Sequence, residues 1–317
     1  METLLQFHRL ADIPNDRGVA APFAGVLNTS LVVAGGANFP NAYPWEGGAK
    51  IWHDRIYRLR EPDARWETIG KLPQPLGYGA SFTVDGGVVI AGGSDARRHY
   101  ANCYLMMEKR GKVVFETLSG LPIPLANVGF AKFGDLLVVV GGQETPTAAA
   151  ANKRVFAMEC NAFGKGWFEL PPMPGPARIL PGVGMVADSI FVCSGADLYP
   201  GPDGKAVRRY LRDCYRYTVF GGWKRLADLP KASVAPPCPL PQISAPGIRC
   251  GHHKSDIEAE PGPWQCTICA CNDNRRCVAR KLGGPERRNP PGSTYTSRLD
   301  DYILRSVTIS CWSAIHR

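Results

Sequence analysis

Three sets of residues in this chain have types and spacings that can do chemistry. Asn38, Glu46 and Lys50 place an amide, a carboxylate and an ammonium in one Gly/Pro/Asn-rich stretch between Gly35-Gly36 and Ile56. Tyr78, in Leu76-Gly77-Tyr78-Gly79, and Arg178, in Pro176-Ala177-Arg178-Ile179, each follow a proline-rich turn, and a guanidinium fork matches a carboxylate edge to edge. Cys266-x2-Cys269-x-Cys271-x5-Cys277, with His252 and His253 upstream, offers zinc-type ligands. A structural zinc site usually pairs two short motifs around a loop, whereas these cysteines crowd into twelve residues, so the sequence reads as metal-free. Asp95 and His99 read as a loop-capping carboxylate and a surface imidazole. No Ser-His-Asp order, phosphate loop or dinucleotide glycine motif stands out.

Whether these groups can meet depends on what carries them. An aromatic residue followed seven positions later by proline, with Ile, Leu or Met just before it, occurs five times: Phe7/Pro14, Trp66/Pro73, Phe115/Pro122, Trp167/Pro174 and Trp223/Pro230. From 19 to 21 residues after each of the first four prolines, an apolar run ends in two small residues: Gly35-Gly36, Gly92-Gly93, Gly141-Gly142 and Ser194-Gly195. Each unit of 49 to 59 residues holds about four short strand-like runs and no helical period. One four-stranded sheet per repeat is the blade of a β-propeller, and the double glycine closing a hydrophobic strand resembles the Kelch repeat. The expected fold is an all-β, Kelch-type β-propeller with four complete blades in residues 15–230. Residues 1–14 read as the closing strand of the last blade. Residues 231–317 have the length of nearly two more blades without the pattern, and read as a degenerate or out-of-frame tail in place of blades five and six.

The repeat also predicts where a site would lie. From the second small residue to the next proline the count runs 37, 29, 32 and 35, so extra residues fall between the second and third strands. In an antiparallel blade that loop emerges on the same face as the link to the next blade. Asn38, Glu46 and Lys50 in the first loop, and Tyr78 and Arg178 in two links, therefore converge on one mouth of the channel, with Arg178 read at the place of Tyr78 two blades further round. Each has a plainer alternative: solvation for the loop residues, rim packing for Tyr78, a salt bridge to a neighbouring blade for Arg178. Trp66, Trp167, Trp223 and Tyr57 recur with the repeat and read as packing between blades, while His53 and Asp54 hold the loop.

Composition narrows the partners. The formal charge is +9, but residues 231–317 hold +5 of it, and the body carries no basic helix or aromatic-studded basic strand, so no nucleic-acid partner is expected. No stretch approaches membrane-spanning length. The N-terminal run METLLQFHRLADIPNDRG lacks a signal-peptide core, so a cytoplasmic location is expected, or a periplasmic one if the true start lies upstream. Cys103, Cys160, Cys193 and Cys214 sit in or beside apolar strands as small hydrophobes.

The run GVAAPFAGVLNTSLVVAGGANFPNAYPWEGGAKIWHDRIYRL from Gly18, the Trp66 strand and then LPQPLGYGASF resemble the sialic-acid mutarotases, the N-acetylneuraminate epimerase family of six-bladed Kelch propellers, in a cyclically permuted order. The resemblance is specific over residues 18–100 and generally Kelch-like to about 240. It implies an isomerase without metal or cofactor that interconverts the anomers of N-acetylneuraminate or a related sugar acid by general acid/base ring opening. It also implies a small sugar acid at Asn38, Glu46, Lys50, Tyr78 and Arg178. The family places its acid/base Glu in an Asn-Gly-Glu or Ser-Gly-Glu loop followed by an Arg. Here the nearest string is Gly283-Gly284-Pro285-Glu286-Arg287-Arg288, with no apolar strand before it, so no catalytic residue is assigned, and the reading allows for a chain made inactive by loss of its closing blade. The alternative is a non-enzymatic binding module, which should show exposed aromatics on its face.

Overall fold

The computed structural model describes residues 5–186, 188–236 and 275–279, with the backbone alone for 5–8 and 275–279. Four antiparallel four-stranded sheets follow one another along the chain. The first is Phe23–Leu27, Ser30–Ala34, Arg55–Leu59 and Glu67–Lys71. The second is Ala80–Val84, Gly87–Ala91, Cys103–Lys109 and Lys112–Leu118. The third is Gly129–Phe133, Leu136–Val140, Val155–Glu159 and Phe168–Leu170. The fourth is Gly182–Val186, Ser189–Cys193, Cys214–Thr218 and Gly222–Leu226. Strands pair in chain order within every sheet, as the repeat predicts. Leu5–Arg9 pairs antiparallel with Arg275–Ala279, from Leu5 opposite Ala279 to Arg9 opposite Arg275. The expected tail lies almost wholly outside the described residues, as do Cys266, Cys269, Cys271 and the Gly283–Arg288 string.

The sheets stack face to face, and alternation along each second strand shows why those runs are continuously apolar. Val88 and Ile90 pack with Phe23, Val32 and Ile56 of the first sheet, while Val89 and Ala91 pack with Phe130, Leu137 and Val139 of the third. Val138 and Val140 in turn meet Val183, Ile190 and Val192 of the fourth. With neighbours on both faces, neither side of these strands tolerates polarity. Cys103, Cys193 and Cys214 are buried, Cys160 is half-buried, and all four are free thiols.

Tryptophans staple successive units. Trp66 Nε1–H donates to Ala11 O at 2.8 Å and Trp223 Nε1–H to Pro171 O at 2.8 Å, each carbonyl lying three residues before its repeat proline. Trp66→Phe is expected to cost about 1–2 kcal/mol, one net hydrogen bond plus lost packing. A urea midpoint unchanged from the parent would show that the indole N–H contributes nothing.

The small pairs turn the chain from sheet to mouth. Both residues of each pair have positive φ: Gly35 and Gly36 at 65° and 87°, Gly92 and Gly93 at 65° and 105°, Gly141 and Gly142 at 67° and 94°, Ser194 and Gly195 at 61° and 93°. The second residue's N–H then donates to a link carbonyl: Gly36 to Leu76, Gly93 to Leu125, Gly142 to Arg178 and Gly195 to Ser233, at 2.8–2.9 Å. Ser194 keeps a side chain in this left-handed position because its hydroxyl, which has the Leu211 and Ser233 carbonyls within reach of its one proton, also accepts the Ser233 N–H at 2.7 Å.

Candidate functional site

Links between sheets build one rim from backbone alone. Ala21, Tyr78, Asn127, Leu180 and Ala235 occupy equivalent places, all with φ between 48° and 64°. Tyr78 N–H donates to Ala21 O, Asn127 N–H to Tyr78 O, Leu180 N–H to Asn127 O and Ala235 N–H to Leu180 O, at 2.7–3.1 Å. The preceding link residue bridges to the residue just after each small pair: Ala20 to Ala37, Gly77 to Ser94, Ala126 to Gln143 and Ile179 to Ala196. The loops after the small pairs and the links therefore share one mouth.

Two of those loops rise as hairpins. In the first sheet Ala37–Asn38 pairs with Ile51–Trp52, and in the fourth Ala196–Pro200 pairs with Ala206–Tyr210. Asn38 is buried at the base of the first hairpin. Its amide donates to Asn15 Oδ1 (2.9 Å) and Gly18 O (2.7 Å), and its Oδ1 lies 2.9 Å from His53 Nε2. Both amide protons and one acceptor site are thus used to fix the loop, with His53 held as expected and its pKa lowered by burial. Glu46 is exposed at the end of the turn Pro44–Glu46, where its Oε2 accepts the Tyr43 N–H at 2.8 Å.

Lys50 does not pair with Glu46. Its ammonium lies 4.0 Å from the Tyr78 ring centroid and 4.9 Å from that of Trp52, a two-sided aromatic cage. Among the described residues no carboxylate pairs with it. Burial lowers its pKa to about 8, with the positive charge of Arg208 adding to the effect. Arg208, on the fourth sheet's hairpin, likewise has no carboxylate partner among the described residues. Tyr78, under the ammonium, has its hydroxyl pKa raised to about 12 by burial, and the buried Trp52 Nε1–H finds no acceptor among the described residues. Lys50 and Tyr78 are therefore brought together, joined by Trp52 and Arg208.

Arg178 is placed elsewhere. It corresponds to Leu76 and Leu125, two residues before the Tyr78 position, because its carbonyl is the one the small pair bonds. Like those leucines it turns inward, and it is 0% exposed. Nη1 and Nη2 bind Asp213 Oδ1 and Oδ2 at 3.1 and 2.8 Å, Nη1 also reaches Ser194 O at 2.9 Å, and Nε reaches Pro176 O at 3.2 Å. A ligand could reach this guanidinium only by displacing Asp213. Asp95 caps its loop as expected, accepting the Arg97 and Arg98 N–H groups and the Tyr100 hydroxyl. His99 is buried rather than on the surface, with Nδ1 2.7 Å from Gln143 O. A carbonyl only accepts, so Nδ1 carries the proton, and burial lowers the imidazole pKa.

The sheets, the stacked cores and the common rim define an all-β propeller. The solved structure of YjhT has the same fold, aligning with a TM-score of 0.60 over 72% of this chain and 75% of that one at 14% identity. The family model for N-acetylneuraminate epimerase matches residues 5–116, which carry Asn38, Glu46, Lys50 and Tyr78. The N-acetylneuraminate epimerase of Yersinia pestis (strain Pestoides F) is 42% identical over 85 residues, 24% of this chain and 21% of that protein. Those of Brucella suis and Vibrio vulnificus (strain YJ016) are 36% and 39% identical over 104 and 90 residues, 28% and 26% of this chain. The matched stretch spans about a fifth to a quarter of the length of these relatives.

Proposed function

We propose that this chain binds N-acetylneuraminate or a related sugar acid at the mouth, with the carboxylate on Lys50, and exchanges its anomers. The observation that carries the reading is the caged ammonium of Lys50, flanked by Arg208 and without a carboxylate partner among the described residues. It lies inside the stretch similar to proteins named N-acetylneuraminate epimerase. In the exchange, the anomeric hydroxyl loses its proton as the ring C–O bond breaks and the ring oxygen gains one, leaving an open-chain ketone that recloses on either face. Lys50 fixes the carboxylate, Tyr78 and Trp52 present apolar faces to the sugar, and Asn38 and His53 hold the loop. Arg178 acts by shaping the link rather than by touching the sugar.

NMR exchange spectroscopy of N-acetylneuraminate with and without protein tests the activity, and exchange no faster than the spontaneous rate removes it. Binding carries its own signature. The sugar carboxylate is ionised above about pH 4, whereas Lys50 loses its charge as pH rises through about 8, so affinity is expected to fall roughly tenfold between pH 7 and 9.5. Lys50→Met should abolish that dependence and weaken binding at pH 7 at least tenfold. It should also raise stability by about 1 kcal/mol, discounted for solvent screening, because a desolvated ammonium is removed. A pH-independent affinity in the parent protein would take Lys50 out of the site.

One observation favours a binding module as the second reading. Trp45 is 78% exposed and stacked on Tyr43 at 4.8 Å, and Tyr199 and Tyr210 are exposed on the opposite hairpin. Sugar-acid binding without accelerated exchange supports that reading.

A further inference from the structure

A cavity of about 470 Å³ opens beside the fourth sheet and shares no lining residue with the Lys50 cage. Tyr210, Arg212 and Tyr215 form one part of its wall, and Arg225 and Asp228 another. The charges around it do not balance. Both oxygens of Asp213, also on the wall, are taken by buried Arg178. Asp228 Oδ1 accepts from Arg225 Nη2 at 2.7 Å, while its Oδ2 lies 4.0 Å from Arg212 Nη2, too far for a hydrogen bond. Three guanidiniums thus meet two carboxylates. Arg212, whose side chain is 55% exposed, makes no side-chain hydrogen bond among the described residues.

We propose that this cavity binds the phosphate group of a small phosphorylated sugar, held between Arg212 and Arg225 with the sugar ring against Tyr210. A planar carboxylate offers one edge, which a single guanidinium satisfies. A tetrahedral phosphate offers oxygens in several directions, which suits two forks on separate segments, Arg212 between the hairpin and the third strand of the fourth sheet and Arg225 on its last strand. Arg225 is already oriented by Asp228, so only Arg212 need be ordered on binding. Tyr210 is 60% exposed, and its ring gives the sugar an apolar face. The site does not depend on the mouth or on the activity proposed for it.

The test is titration of the full-length protein with inorganic phosphate and with glucose 6-phosphate at fixed ionic strength, read by ligand-observed NMR. Both probes are expected to bind saturably, the sugar phosphate more tightly. Arg212→Ala should weaken both at least tenfold, and Tyr210→Ala should weaken glucose 6-phosphate alone. Arg212→Lys, which keeps the charge and loses the fork, should give an intermediate loss and stands in if the alanine variant folds poorly. Lys50→Met should leave both affinities unchanged, and N-acetylneuraminate should not compete. Failure of either probe to bind, a loss below twofold in both Arg212 variants, or competition by N-acetylneuraminate overturns the proposal. Equal affinity for both probes, unaffected by Tyr210→Ala, overturns the sugar half and leaves a site for free phosphate.

Discussion

Asp213→Ala is expected to destabilise the protein by about 3–5 kcal/mol, because it strands the fully buried guanidinium of Arg178 without its counter-ion. Arginine cannot shed its proton to escape the penalty. The two remaining carbonyl acceptors, Ser194 O and Pro176 O, satisfy N–H groups but not the charge. Thermal denaturation should show a drop of roughly 6–20 °C for a protein of this size. Arg178→Met is expected to cost less, since Asp213 lies near the open cavity and retains access to water. Pairing Arg178→Met with Asp213→Leu should recover most of the loss, as buried ion pairs replaced by apolar groups commonly do. A melting temperature within 2 °C of the parent for Asp213→Ala alone would contradict this account of the link between the third and fourth sheets.

Gly35→Ala should cost about 3–4 kcal/mol, and the reason is a specific collision added to the left-handed backbone preference. Gly35 has φ 65°, and a methyl group there would lie 2.2 Å from Leu76 O and 2.7 Å from Leu72 Cδ1. The same carbonyl oxygen accepts from Gly36 N–H at 2.8 Å, so relieving the clash breaks a bond that joins sheet to link. Gly47→Ala is the matched control: φ is 81° and no atom lies within 4 Å of the added carbon, which leaves only the backbone preference, about 1–2 kcal/mol. Gly35→Ser should fall between the two, because at the equivalent Ser194 the hydroxyl bonds the link carbonyl that a methyl group would only repel. Equal denaturation midpoints for Gly35→Ala and Gly47→Ala would show that the link relaxes freely.

The sheets were legible in the sequence because the repeat writes each of them in the same places. An aromatic, a proline and a small pair in fixed register leave little freedom in where strands begin and end, and the positive φ of each small pair is the physical cause of that signal. The candidate site was legible only in part. Lys50 and Tyr78 were found through loop length and link position, and they do meet. Arg178 is displaced by two residues from the Tyr78 position: it stands four residues after Pro174 where Tyr78 stands five after Pro73, and Pro174-Gly175-Pro176-Ala177-Arg178 holds one residue more after its second proline than Pro73-Gln74-Pro75-Leu76, which together put the arginine at an inward-facing position. Aligning the link carbonyls rather than the first proline would have shown it. Arg208 was missed because it reaches the mouth on a hairpin 158 residues along the chain from Lys50, and sequence spacing carries no trace of that proximity. Glu46 and Lys50, though only four residues apart, form no ion pair. The turn at Pro44–Glu46 instead commits the carboxylate to the Tyr43 N–H.

The run of bonds from Ala21 through Tyr78, Asn127 and Leu180 to Ala235 is made entirely of peptide groups, all donating in the same sense. The rim is therefore held by bonds that do not depend on which side chains it carries. Tyr78, Asn127 and Leu180 differ as much as three residues can, yet occupy one backbone conformation. The choice of side chains at the mouth is thereby uncoupled from the integrity of the scaffold. Side chains and hairpins there can be exchanged without loss of the fold, provided that each rim residue tolerates a positive φ and keeps its N–H.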